Sequence, residues 1–332
     1  MDAPILKDLV PLPRVWERLE SVEHRLLEIS ASSEPFLTGI AQHLIKAGGK
    51  RFRPLVAALA AEVGPADDGR PVDAAAAVEL IHLGSLYHDD VIDESESRRG
   101  ASSVNANWSN TVAILAGDYL MARASELAAT RLGLESVRLL ATTYAELVEG
   151  QTLELHLAND LAHGPEAYFK VVAGKTASLI RTSARLGALA SDAEPHTADA
   201  LSDWAWELGI VFQMTDDVLD LVATDAFLGK PAGSDIREGV FTLPVLYALA
   251  SPKAEGRIRQ LLGGGTPFTP EAVAEVIALV RAGGHVGRAL DEAAVRVQRA
   301  ERHVETLPDR DAKVVLKSLG AYLLERVEAA RG

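Results

Sequence analysis

The chain has 332 residues, with 33 lysines and arginines against 47 aspartates and glutamates, for a formal charge of −14. That acidity argues against a nucleic-acid binder, which needs a basic stripe, and against attachment to an anionic membrane through bulk charge. Hydrophobic residues at 48% and charged ones at 24% make an ordinary globular balance, and the absence of cysteine excludes disulfides, thiolate zinc sites and a thiol nucleophile.

The opening Met1-Asp2-Ala3-Pro4-Ile5-Leu6-Lys7-Asp8 has neither the basic nor the apolar region of a secretory signal. No uncharged apolar run reaches about 18 residues, and the best stretch, Gly239 to Pro252, is interrupted by Pro244. A cytoplasmic protein is expected. Apolar residues recur at three- and four-residue spacing without sustained alternation, which predicts an all-α fold. Gly64-Pro65 and Gly69-Arg70-Pro71 precede a long apolar helix. Gly263-Gly264-Gly265 and Gly283-Gly284 mark turns, and Thr269 with Pro270 marks a helix start. With no solenoid repeat or low-complexity linker, the expectation is one domain over residues 1–332, a single large helical bundle around a central apolar cavity. Its motif-bearing core spans about residues 40–250, and residues 251–332 form more charged, peripheral helices. Ala74 to Tyr87, Thr111 to Leu120 and Leu208 to Val222 are apolar on most faces and belong at the centre.

Two of these apolar helices end in aspartates. Asp89 and Asp93 in Asp89-Asp90-Val91-Ile92-Asp93 share a helix face, as do Asp216 and Asp220 in Asp216-Asp217-Val218-Leu219-Asp220. Near a helix C-terminus the dipole disfavours negative charge, so such carboxylates need cations. Oxygen-only donors select hard ions, Mg²⁺ above all, and Mg²⁺ held by few carboxylates keeps positions open for substrate phosphate. A lone acidic triplet is ordinarily a solvated face, but two copies with the same spacing, each ending an apolar helix, point to a metal clamp for a diphosphate. Glu79 and His82 have the Glu-x-x-His spacing of di-iron bundles, yet the second copy such a centre requires is missing.

A diphosphate also needs fixed donors. Gly48-Gly49-Lys50-Arg51-Phe52-Arg53-Pro54 offers glycines for close backbone approach with Lys50 and Arg53 as phosphate ligands. Arg98-Arg99-Gly100, Lys175-Thr176 and Gly229-Lys230-Pro231 supply further donors.

Together with Leu115-Ala116-Gly117-Asp118, Phe212-Gln213, Gly233-Ser234-Asp235 and Thr242-Leu243-Pro244, these motifs in this order resemble the trans-isoprenyl diphosphate synthase, or polyprenyl synthetase, family from Gly48 to Leu249. The resemblance implies a large all-α bundle, usually homodimeric, around a deep apolar cavity. It implies that Lys50, Arg53, His82 and Arg99 bind isopentenyl diphosphate. Asp89, Asp90, Asp93, Asp216 and Asp220 would hold Mg²⁺, three ions per active site, on an allylic diphosphate that Arg98, Lys175, Thr176, Gln213 and Lys230 also contact. Asp89, Asp93, Lys175, Asp216 and Lys230 would carry the catalysis. The implied reaction is a sequential 1′-4 condensation: the allylic C–O bond ionises, the double bond of isopentenyl diphosphate attacks, and a proton leaves.

The growing tail should descend the helix that carries the first cluster, past Ser85 and Gly84, then Ile81, then Val78 and Ala77. A turn rises about 5.4 Å, close to one isoprene unit. Short-chain members of the family resemble one another in placing a bulky residue four or five positions before the first aspartate. Here those positions hold Ser85 and Gly84, so a medium- or long-chain all-trans product is expected and Gly84→Phe should shorten it. Small residues that simply let two helices pack closely are the competing explanation. Geranylgeranyl or farnesyl diphosphate is the alternative product. A terpene cyclase would not need the Gly48 to Pro54 motif, and a noncatalytic helical partner subunit would be expected to lose aspartates. Six acids, Asp89, Asp90, Asp93, Asp216, Asp217 and Asp220, are expected to face the cavity, where metal inverts their sign. Release of a long product would give at most transient membrane contact.

Overall fold

A computed structural model describes residues 3–224 and 232–331. The chain is all-α: among the described residues the extended segments are two strands of two residues each. Its contacts separate into two compact units, Met1–Tyr144 with Leu179–Ser202 and Thr306–Val315, and Ala145–Ser178 with Asp203–Glu305 and Leu316–Gly332.

In the first unit the helices are α1 (Ala3–Leu9), α2 (Pro13–Ile29), α3 (Pro35–Ala41), α4 (His43–Lys46), α5 (Phe52–Ala61), α6 (Arg70–Ile92), α7 (Val104–Asn107) and α8 (Asn110–Leu127). Helix α6 opens as expected after Gly69, with Pro71 in its first turn. Ala74, Ala75, Ala76, Ala77, Val78, Leu80 and Leu83 are fully buried, which makes α6 the central rod of this unit. Alanine on several faces lets α2, α5 and α8 approach from different sides.

The approach is tightest where α6 meets α8. A Cβ built on Gly84 would lie 2.8 Å from the Met121 Cε and 3.1 Å from the Gly117 carbonyl. One built on Gly117 would meet the Gly84 carbonyl at 3.0 Å and the His88 ring at 2.3 Å. Gly84, expected to open the floor of a product tunnel, instead brings two helix backbones together. The close-packing explanation accounts for it.

The second unit takes α9 (Leu134–Leu157) from Ala145 onward, α10 (Pro165–Val172), and the part of α12 (Pro195–Val222) after Ser202; α11 (Ser178–Ala190) lies almost wholly in the first. Helix α10 runs directly into a π-helical turn, Ala173–Ala177. Every residue of the helix Leu243–Leu249 is buried. The start at Thr269 is as the sequence implies, its hydroxyl accepting from the Ala272 N–H at 3.2 Å with Pro270 in the first turn. Gly263 and Gly283 cap the C-termini of their helices. In His285–Glu305 the buried residues Val286, Ala289, Ala293, Val297, Ala300 and Val304 recur every three or four positions, leaving one apolar stripe. No helix among the described residues is long and apolar enough to cross a membrane.

Gly84→Phe should lower the melting temperature, since overpacking of a close helix contact costs about 1–3 kcal/mol. Gly84→Ala, which meets chiefly the flexible end of Met121, should cost less. An unchanged melting temperature for the phenylalanine variant would restore Gly84 to a tunnel wall.

Candidate active site

Helix α6 ends at Ile92, and Asp93 is its C-cap, its N–H donating to the Asp89 carbonyl at 2.8 Å. Asp89 therefore sits in the last turn and the exposed Asp93 at the helix end. Asp90 turns inward and is only 1% exposed. Its Oδ1 accepts from Arg98 Nε at 2.7 Å, with Arg98 Nη2 at 2.6 Å, while its Oδ2 is buried with no hydrogen-bond partner among the described residues. Burial pushes the Asp90 carboxyl up, against the pull of Arg98. Expected as an open metal ligand, Asp90 is the buried anchor of Arg98.

Arg98 and its neighbours owe their placement to a hairpin that hydrophobic periodicity does not reveal. Strands β1 (Ser97–Arg98) and β2 (Ala101–Ser102) pair Ser97 with Ser102 and Arg98 with Ala101. The two turn residues, Arg99 and Gly100, have φ of 55° and 76°, the type I′ pattern that suits a two-residue hairpin. This projects Arg99 back to the turn before α5. Its Nη1 donates to the Gly48 carbonyl, and a Cβ on Gly49 would lie 2.7 Å from its Cζ. Gly49 thus admits a guanidinium to the backbone, where the sequence suggested room for phosphate.

Arg51, unassigned from sequence, organises this cluster. Buried, with φ of 46°, it forks onto both oxygens of Glu23 at 2.5 and 3.0 Å, reaches the Glu79 Oε1 at 2.9 Å and the Ile45 carbonyl at 3.0 Å. Glu79, whose spacing to His82 suggested a metal site, is a buried counter-ion, with Arg99 Nη2 also 3.8 Å from its Oε1. Arg53 Nη1 donates to His82 Nε2 at 3.2 Å, which fixes the imidazole proton on Nδ1. Burial first, then Arg53, Arg99, Arg51 and Arg98, holds the His82 pKa well below its ordinary 6.5. Four guanidiniums are therefore set against the three carboxylates of Glu23, Glu79 and Asp90, with Lys50 exposed beside them. The cluster therefore keeps an excess of positive charge beside a neutral imidazole.

In the second unit, α12 carries Gln213, Asp216, Asp217 and Asp220. Asp217 is 4% exposed and both its oxygens are occupied, Oδ2 by the Tyr168 hydroxyl at 2.5 Å and Oδ1 by Gln213 Nε2 at 2.7 Å. Gln213 in turn accepts from the Thr176 hydroxyl at 2.8 Å. Burial pushes Asp217 up to about 7 even against those two donors. Asp90 and Asp217, the second aspartate of each cluster and both expected to face a cavity, are each buried and bonded to protein side chains. Asp220 is buried and receives the Asp235 N–H at 3.3 Å, while its carbonyl takes the Gly233 N–H at 2.8 Å. Asp216 pairs with Arg326 Nη1 at 2.8 Å, a partner 110 residues away that no local motif announces.

Lys175 and Thr176 lie on the π-helical turn, and the Lys175 ammonium donates to Glu154 of α9. That turn meets α9 at backbone distance: a Cβ on Gly150 would lie 2.5 Å from the Lys175 nitrogen, and one on Gly174 2.8 Å from the Glu146 carbonyl. A glycine inside a long helix was the available signal for this approach. Lys230 lies outside the described residues.

Residues 34–280 match the polyprenyl synthetase family model. The chain belongs to that family. The polyprenyl synthetase is 46% identical over 286 residues to a nonaprenyl diphosphate synthase of Mycobacterium tuberculosis, covering 86% of this chain and 85% of the relative. It is 37% identical to a short chain isoprenyl diphosphate synthase of Methanothermobacter thermautotrophicus, covering 92% and 96%. A polyprenyl synthase from Caulobacter crescentus, solved with calcium and isoprenyl diphosphate, superposes with a TM-score of 0.89 at 32% identity over 96% of this chain and 97% of that one. The protein is a prenyltransferase, and the family's substrates are isopentenyl diphosphate and allylic diphosphates.

In this synthetase His82 is neutral in the folded state, whereas an unfolded imidazole titrates near 6.5. On acidification the unfolded chain takes up the proton first, so the contribution to stability is complete above about 6.5 and falls as pH drops below it. His82→Gln should flatten that limb of the stability profile in denaturant titrations between pH 7.5 and 5. Parallel profiles for the two proteins would contradict a neutral His82.

Proposed function

We propose that this synthetase condenses isopentenyl diphosphate with an allylic diphosphate in repeated 1′-4 steps and releases an all-trans polyprenyl diphosphate of medium or long chain. The observation that carries the reading is the arginine cluster at α6, where four guanidiniums surround a neutral His82 on the helix that ends in Asp89 and Asp93. It provides a diphosphate site that needs no metal. Lys50, Arg53, His82 and Arg99 would take isopentenyl diphosphate there, with Arg53 and Arg99 already held by His82 and the Gly48 carbonyl.

The allylic diphosphate falls to the acidic clusters. Among the described residues no three acidic or histidine side chains form a ready-made cation site. The candidate donors are carboxylate oxygens, which suits Mg²⁺ bound partly by substrate oxygens and water. Asp89, Asp93, Asp216 and Asp220 would hold the ions, with Lys175, Thr176, Gln213 and Lys230 as direct contacts and Arg98 kept in reach by Asp90. Mg²⁺ there would stabilise the departing diphosphate. The lysines and arginines supply fixed positive charge to the same leaving group, and buried apolar side chains exclude water that would quench an allylic cation.

The small Ser85 one turn before Asp89 supports a long product. Ile81, Val78 and Ala77 are buried on the Asp89 face, and Ser85 turns its hydroxyl back to the His82 carbonyl at 2.8 Å. Homodimerisation is supported by α8, whose Ile114 and Leu115 are 43% and 58% exposed, an apolar edge suited to a second copy. The same reading places the enzyme in the cytoplasm, with membrane contact confined to product release.

Asp89→Ala and Asp216→Ala should each reduce turnover by at least about a hundredfold while leaving melting little changed, measured with isopentenyl diphosphate, a set of allylic primers and Mg²⁺. Near-normal turnover in either variant removes that residue from the metal site. In the same assay Ser85→Phe should shift the mass-spectrometric product distribution to fewer isoprene units, and an unchanged distribution would remove the Asp89 face of α6 from chain-length control.

A further inference from the structure

The C-terminal helix Asp311–Arg331 lies beyond the residues matched by the family model, yet it supplies a cation to a carboxylate of the second aspartate cluster. Arg326 Nη1 donates to Asp216 Oδ1 at 2.8 Å, with the two side chains 13% and 34% exposed. Both partners stand on fixed elements. Leu316, Leu319, Leu323 and Val327 are buried at helical spacing, which sets the register of Arg326. The Leu316 carbonyl accepts from the Trp204 indole at 3.2 Å, and Trp204 is on α12, the helix that carries Asp216. The other aspartates of the cluster are engaged differently, Asp217 by Tyr168 and Gln213 and Asp220 by the turn at Gly233 to Asp235. Arg326 therefore acts on the most exposed carboxylate of the three.

A guanidinium at hydrogen-bond distance cancels the charge of a carboxylate and occupies one of its oxygens. A bare divalent cation arriving at Asp216 must compete with it. A metal ion already carrying a diphosphate brings negative oxygens that offset the arginine's repulsion. We propose that Arg326 is a positioning residue that withholds Asp216 from free metal, so that the second cluster takes up metal together with diphosphate in preference to metal alone. This rests on the reading of Asp216 as a metal-holding carboxylate.

The test is Mn²⁺ binding to the full-length chain, followed by electron paramagnetic resonance with and without inorganic diphosphate. Arg326→Gln should bind Mn²⁺ alone about three- to tenfold more tightly than the wild type, and Arg326→Lys should stay within about twofold, because the charge is retained. With diphosphate present the gain should shrink below about twofold. Asp216→Asn in the Arg326→Gln background should erase it. Equal or weaker binding of Mn²⁺ alone by Arg326→Gln overturns the proposal, whether it comes with a lower melting temperature, which would make the pair purely structural, or with lost diphosphate affinity, which would make Arg326 a diphosphate ligand. If Asp216→Asn alone leaves the number of bound Mn²⁺ ions unchanged with diphosphate present, the metal assignment of Asp216 itself is wrong.

Discussion

A carboxylate near the C-terminal end of a buried helix meets the negative end of the helix dipole with little water to spread its charge, so a cation or a set of fixed donors must answer it. Both aspartate clusters obey this constraint, and most of the described polar network near them follows from it. In each, the second aspartate is driven inward and satisfied by protein: Asp90 by Arg98, Asp217 by Tyr168 and Gln213. Burial raises both carboxyls, as desolvation without metal should. On the proposed reading the first and third aspartates are the ones that hold metal. The end of α12 is further answered by Arg281, whose Nε donates to the Leu221 carbonyl at 2.8 Å.

Holding positive charge ready carries its own cost, because buried guanidiniums repel one another. The first unit balances them with Glu23 and Glu79 without neutralising them fully, and removing either carboxylate would strand a charge. The glycine turn at 48 and 49, the left-handed backbone at Arg51 and the hairpin turn at Arg99 and Gly100 are the local distortions that converge these groups. Donors fixed in this way would reorganise little on taking up a diphosphate.

Much of this was legible in the sequence. Periodicity and punctuation revealed the helices, and the repeated aspartate spacing revealed two acidic clusters at helix ends, because both are local patterns. The rest depends on contacts between distant residues. Arg51 looked like any basic residue of its turn until Glu79, 28 positions away, was seen to hold it. Glu154 and Arg326 entered only through folding, against Lys175 and Asp216. Gly84 fits both a tunnel and a helix crossing by sequence, and only the nearness of Met121 and Gly117 decides between them. Two-residue strands are too short to show alternation, so the hairpin that aims Arg98 and Arg99 left only an Arg-Gly pair as its trace.

The net charge of −14 describes the whole surface, whereas the proposed chemistry depends on carboxylates whose sign a metal reverses. Calorimetric titration of the intact protein with an unreactive allylic diphosphate analogue, once in Mg²⁺ and once in chelator, tests that dependence most directly. The account predicts affinity at least about a hundredfold higher with Mg²⁺, the scale on which losing the bridging cations should weaken a diphosphate contact. Equal affinity in the two conditions would contradict it, because the aspartate clusters would then have no part in holding the allylic substrate.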